Sequence, residues 1–136
     1  MRELDPQMLR ELVPFAATVG IEMLEAGPDL VSARLPWAPE LCTMGGLMHG
    51  GALMALADNG GGTCAYLNLP EGATGTATIE SKTNFLRPVR DGAVTARSRP
   101  LHRGRTLIVV ETELLRDDGK LAAKVIQTQT FHYPRS

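Results

Sequence analysis

Aromatic residues are scarce in this chain of 136 residues, at 4% of the composition. A core built from so few rings has to be mostly aliphatic. An excess of one charge is also missing: 14 basic residues face 15 acidic ones, for a net charge of −1. That balance offers no electrostatic footprint for nucleic acid. The two cysteines, Cys42 and Cys64, match no metal-ligand spacing and make a poor disulfide framework. No apolar run has transmembrane length, and no secretory signal, internal repeat or low-complexity linker is visible. The expectation is a reduced, cytoplasmic setting, with neither a membrane nor a nucleic acid as partner.

At 43% hydrophobic and 21% charged residues, the composition is that of an ordered soluble domain. The length suits one domain over 1–136, long enough to bury a real core. Residues 5–17 begin with Asp5-Pro6, a helix N-cap followed by a first-turn proline, and place Leu9, Leu12, Val13 and Ala16 at helical spacing. Pro14 is expected to kink or shorten that N-terminal segment. Val31, Ala33 and Leu35 alternate with Ser32 and Arg34, a half-buried strand that pairs with IEMLEAG through a turn at Gly27-Pro28-Asp29. PWAPELCTMGG reads as a loop.

From Gly50 to about Leu67 the pattern becomes helical, with Leu53, Leu56 and Ala57 on one face, and Pro70 stops it. Four strands follow. The last two, TLIVVETELLR and KLAAKVIQTQTFHY, are joined by Asp117-Asp118-Gly119, a tight-hairpin signal. The order of elements predicts an α+β domain with an antiparallel sheet curled around the helix of residues 50–67. Gly60, Gly61 and Gly62, with Ala52, Ala55 and Ala65, then allow close approach of sheet to helix. Each helical glycine costs about 1 kcal/mol relative to alanine, and packing has to offset that.

The stretch GGLMHGGALMALADNGGG, residues 45–62, carries the chemistry. His49-Gly50-Gly51 precedes the helix, whose first N–H groups lack intrahelical partners and lie at the positive end of the macrodipole. Such donors suit a developing oxyanion. Asp58 lies mid-helix among small apolar residues, where a carboxylate has poor propensity and needs a use or a partner. Gly50 and Asp58 are eight residues apart, or about 12 Å along the axis, too far to serve one reacting atom within one chain. Two antiparallel copies of the helix around a two-fold axis would pair Gly50 of one with Asp58 of the other, twice.

GLMHGGALMALAD, followed by TNFLRPVRDGAVTARSRPLHRGRTLIVVETELLRDDGKLAAKVIQTQT, resembles the hotdog-fold acyl-CoA thioesterases. The phenylacetate-degradation type, related to a branch of the 4-hydroxybenzoyl-CoA thioesterases, is the most similar group, with likeness from about residue 18 to 133. The resemblance implies a long central helix wrapped by antiparallel sheet, and a dimer with two interface sites, often paired again into a tetramer. It implies hydrolysis of an acyl-CoA, with no cofactor beyond the coenzyme A of the substrate; the small residues and methionines near the expected site fit a medium-chain or an aryl acyl group equally. By position, Gly50 donates its N–H to the thioester oxygen, His49 shapes the loop, and Asp58 from the partner chain acts as base or nucleophile. Thr78 falls where a Ser or Thr orients water. Arg87 and Arg105 fall where basic residues meet coenzyme A phosphates. Gly51, Met48 and Thr43 line the substrate side, and Met44 and Met54 join Met48 as candidate pocket or core residues.

Thr43 is a departure, since relatives often carry Asn there; it offers only a hydroxyl where Asn offers donor and acceptor. The same fold without chemistry would give an acyl-CoA binding or sensor module, which Thr43 favours and the retained Asp58 and His49-Gly50-Gly51 oppose. A hydratase needs a differently arranged His and carboxylate. Cys64 reads as helix packing rather than a nucleophile, and His102 and His132 as surface or strand-end residues.

Overall fold

The computed structural model describes residues 5–135, the side chains of Pro6 and Arg10 excepted. Residues 1–4 and 136 of the expected domain lie outside the described residues. Asp5 caps α1 (Pro6–Leu12) by accepting from the Gln7 N–H at 3.2 Å. The helix breaks at Val13, as a following proline requires, and α2 (Pro14–Val19) resumes at once and ends on Gly20 in the left-handed region.

Strands β1 (Glu22–Ala26) and β2 (Val31–Pro36) form the expected hairpin. After two short 3-10 turns comes α3 (Gly50–Leu67), then β3 (Gly75–Phe85), β4 (Ala93–Arg103), β5 (Leu107–Arg116) and β6 (Leu121–His132). The six strands among the described residues make one antiparallel sheet in the order β1-β2-β4-β5-β6-β3. At the β5–β6 hairpin, Arg116 donates to Asp118 at 2.5 Å, and the Lys120 N–H adds a bond at 3.0 Å. Those two donors hold the Asp118 carboxyl down at about 2.

The sheet wraps α3, which touches β2, β3, β4, β5 and β6. Leu53, Leu56, Ala57, Cys64, Ala65 and Leu67 of the helix are buried against inward residues such as Val94, Val110, Leu114 and Val125. The buried core is mostly aliphatic, with Phe131, Met48 and Cys64 among its members and Trp37 and Tyr66 packed against it. Truncating the fully buried Leu56 to alanine would cost about 2–5 kcal/mol. Asn68 closes the helix by donating from Nδ2 to the Cys64 and Pro28 carbonyls, both at 2.8 Å. No helix among the described residues is long and apolar enough to cross a membrane.

Gly60, Gly61 and Gly62 of α3 meet polar rather than apolar neighbours. A Cβ on Gly60 would stand 2.5 Å from Ser98 Oγ, which shares a buried 2.7 Å hydrogen bond with Thr112. One on Gly61 would overlap the Gln127 amide. Close approach is therefore met at both positions. Gly62 differs: its nearest atom would be Gln129 Nε2, at 4.0 Å.

Strand β3 is an edge. It bonds to β6 on one side, and its other side has no strand partner among the described residues. Most of its residues are exposed, including Ile79 and Phe85, with Leu86 beyond its end. A bulge interrupts the β3–β6 register between Thr78 and Glu80.

Candidate active site

The start of α3 is set by His49, whose Nδ1 accepts from the Gly51 N–H at 2.7 Å. An Nδ1 that accepts carries no proton, so the neutral ring holds its proton on Nε2. The loop before the helix is pinned by His49 N–H to the Leu41 carbonyl at 2.7 Å and Met48 N–H to the Val89 carbonyl at 2.9 Å. Ala52 and Leu53 donate to the His49 carbonyl. The Gly50 N–H has no hydrogen-bond partner among the described residues. Beside it opens a recess of about 370 Å³, lined in part by Thr43, Met48, Gly50, Phe85 and Arg87. The Phe85 ring covers Gly50 so closely that a Cβ there would meet it at 3.1 Å.

Asp58 lies further along α3, on its exposed side. Thr78 Oγ1 donates to Asp58 Oδ1 at 2.7 Å, and Gln127 Nε2 donates to the same oxygen at 3.0 Å. Gln129 Nε2 donates to Thr78 Oγ1, and Thr76 Oγ1 donates to Gln129 Oε1 at 3.2 Å. Helix α3 and strands β3 and β6 thus share one polar network. Every described bond to the carboxylate falls on Oδ1, so Oδ2 is left for something else. Asp58 and Thr78 line a cavity of about 520 Å³ with apolar walls from Leu9, Leu12, Phe15, Ala55 and Tyr66.

The residues singled out in the sequence therefore fall into two groups. Thr43, Met48, Gly50 and Arg87 share the recess at the helix start; Asp58 and Thr78 share the cavity further along. Gly51 serves the cap, and Thr43 holds the loop through its backbone N–H to the Leu47 carbonyl at 2.8 Å. The Thr78 hydroxyl proton points to Asp58 rather than to an open position. Arg87 donates to the Leu121 carbonyl at 2.9 Å, at one end of β6. Arg105 sits in the β4–β5 turn, beside Thr106, whose carbonyl accepts from Phe131 at the other end of β6. The length of β6 puts roughly 30 Å between those ends, so one chain cannot bring both arginines to one phosphate.

Met44 is 91% exposed, outside the core and outside both recesses; it is the first residue of a 3-10 turn with no buried residue, capped by Thr43. Met48 is buried in the core beside the recess, and Met54 is half-exposed. Burial pushes the Cys64 thiol up to about 12, against weaker opposition from Arg103 and Asn68, which suits packing and not nucleophilic attack. Gln127 and Gln129 were not among the sequence candidates. Their signal was present: alternation along β6 puts both on the inward face with Val125 and Phe131, where a polar residue needs a partner.

The profile of the thioesterase superfamily matches residues 45–123. A 1,4-dihydroxy-2-naphthoyl-CoA hydrolase of Escherichia coli is 33% identical over 95 residues, covering 70% of this chain and 69% of that protein. The crystal structure of a thioesterase from Haemophilus influenzae superposes with a TM-score of 0.90 at 29% identity, over 97% of this chain and 93% of the other. A mutant thioesterase from Pseudomonas aeruginosa gives 0.89 at 29% identity, over 96% and 95%. Fold, helix-start motif and sequence agree: this chain is a hotdog-fold thioester hydrolase and belongs to the thioesterase superfamily.

Proposed function

We propose that the chain hydrolyses acyl-coenzyme A thioesters, at paired sites each made by Gly50 of one protomer and Asp58 of the other. The observation that carries this is the separation of the two groups. A free N–H at a helix start and a carboxylate held by two donors occupy different recesses, about 12 Å apart along α3. That exceeds the reach of any single reacting centre. The unpaired outer edge of β3, with exposed Ile79, Phe85 and Leu86, gives a second copy a strand to join. A further pairing of dimers into a tetramer is compatible with the same protomer.

In the hydrolytic step the thioester carbonyl oxygen accepts from the Gly50 N–H, at the positive end of the helix dipole. Asp58 Oδ2 takes a proton from water as the water oxygen bonds to the carbonyl carbon, and negative charge moves onto the carbonyl oxygen. That charge returns as the C–S bond breaks. The thiolate leaves with the electron pair and takes the proton from Asp58, giving carboxylic acid and free thiol. The alternative has Oδ2 attack the carbon directly, expel the thiolate and form a mixed anhydride that water then cleaves. Thr78 holds the carboxylate in either route. His49 fixes the donor loop, with its Nε2–H available as a second donor.

The cavity beside Asp58 takes the acyl group. At about 520 Å³, with walls of Leu9, Phe15, Ala55 and Tyr66, it accepts a medium acyl chain or a flat aryl group. Arg87 borders the recess at Gly50, where a coenzyme A phosphate would pass; Arg105 would join it only from a different protomer. A thiol-release assay over short, medium, long and aryl acyl-CoAs tests the assignment, with Asp58→Ala alongside. Thiol release that depends on Asp58 is expected. Tight binding without release across the panel would select a binding module instead.

A further inference from the structure

Gln127 is fully buried in the middle of β6, and the two ends of its amide have opposite fates. Nε2 donates to Asp58 Oδ1 at 3.0 Å and lies 3.5 Å from Thr78 Oγ1. Oε1 is buried with no hydrogen-bond partner among the described residues. It rests on the α3 backbone at Gly61, so near that a Cβ there would overlap it. An unsatisfied buried amide oxygen is unfavourable, and an apolar side chain of similar length would fill the space without one. A glycine in mid-helix is unfavourable too. Two unfavourable choices meet at one contact, and what they yield together is a donor on Asp58.

We infer that Gln127 is a positioning residue for Asp58, and that Gly61 is the gap in the helix surface that admits it. The inference rests on Asp58 being the reacting carboxylate. The terminal torsion of an aspartate is broad, and one hydrogen bond from Thr78 leaves it room to swing. Two donors converging on Oδ1 from β3 and β6 fix the plane of the carboxylate, and with it the direction of Oδ2. The donor is neutral, so the carboxylate is oriented without a salt bridge that would occupy it. Gln129 is one step removed: both ends of its amide are bonded, to Thr76 and Thr78, and it reaches Asp58 only through Thr78.

The test is kinetic, with stability measured beside it. Gln127→Met removes the donor and keeps the bulk. It is expected to melt no lower than the parent, to keep KM for octanoyl-CoA and benzoyl-CoA within about twofold, and to lower kcat roughly 10- to 100-fold, the scale of a misplaced reacting group. Gly61→Ala should displace Gln127 and reproduce the loss in kcat. In a Gln127→Ala background, where the space is vacated, Gly61→Ala should add no further loss, a coupling that independent sites do not show. Parental kcat in Gln127→Met overturns the inference, as does a Gly61→Ala effect of equal size in both backgrounds; should Gln127→Met not fold, the Gly61–Gln127 cycle decides. Asp58→Asn separates the two levels. If it keeps full turnover, the assignment of Asp58 fails; if it is inactive while Gln127→Met is not, only the positioning role fails.

Discussion

The Thr78 hydroxyl, on edge strand β3, donates to Asp58 Oδ1, on the central helix, across 2.7 Å. Removing the carboxylate should cost more than removing the hydroxyl that holds it. Asp58→Ala is expected to lower kcat for thiol release by about two to four orders of magnitude. Thr78→Val should give a smaller loss, and Thr78→Ser should recover most of it. Equal activity of the Val and Ser variants would take the hydroxyl out of the mechanism.

Removing the donor at the helix start calls for an imino acid. Gly50 is the first residue of α3, where proline is tolerated, and His49 before it has φ −62° and ψ 138°, the conformation a following proline demands. Any side chain there meets the Phe85 ring at 3.1 Å, so the comparison belongs in a Phe85→Ala background. Gly50→Pro should turn over about 10²- to 10³-fold more slowly than Gly50→Ala in that background, the difference being one N–H aimed at the oxyanion. Equal rates would place the oxyanion elsewhere.

The proposed sharing of groups between protomers makes a mixing experiment decisive. Asp58→Asn and Gly50→Pro subunits, each inactive alone, should regain activity when unfolded and refolded together. Random pairing gives half mixed dimers, each with one intact site and one doubly defective, hence about a quarter of the parental activity. Sites contained in single subunits would regain nothing.

Gly62 lines the cavity proposed to take the acyl group, and a Cβ there would meet nothing nearer than 4.0 Å. Gly62→Ala should therefore fold normally while filling part of the cavity. Its kcat/KM for medium-chain and aryl substrates should fall relative to acetyl-CoA by roughly tenfold or more, the discrimination a methyl-sized change supports. An unchanged profile would mean that the acyl group lies elsewhere.

Cys64 gives a pH prediction. Its thiol ionises at about 12 in the folded protein, against 9.0 when free. The folded pKa is the higher, so its contribution to stability is complete below pH 9 and is lost as pH rises towards 12, because the unfolded chain releases the proton first. Urea midpoints should decline above pH 9, and a Cys64→Ala variant should show a shallower decline. At pH 8, iodoacetamide should label Cys42 in the folded protein and leave Cys64 untouched until urea is added.

Much of this architecture was legible because it is written in local chemistry. Alternation marked the β1–β2 hairpin, Asp118-Gly119 marked the β5–β6 turn, and the Gly50–Leu67 helix carried its stop in Pro70. The position of β3 was not legible: nothing between residues 75 and 85 says that the strand crosses to the far edge and pairs with β6. Asp58 stood out as a carboxylate in an apolar helix. Thr78 came from family likeness alone, and Gln127 and Gln129 were marked only by their alternation with Val125 and Phe131. Their meaning depends on Gly61 and Thr78, distant in sequence, which only the closed sheet brings near. The outward position of Met44 is likewise a property of the 3-10 turn, not of the residue.

The placement of β6 between β5 and β3 fixes when the sheet can close during synthesis. Helix and β3 leave the ribosome early, but β3 then has no neighbour to bond with, and the carboxylate has no amide beside it. Only after residues 121–132 emerge does the last strand slot into the sheet, joining both halves and completing the polar cluster in one step. A nascent chain halted before that point would carry Asp58 and Gly50 without the closed sheet, its β5 and β3 edges that β6 covers left open for chaperones to shield.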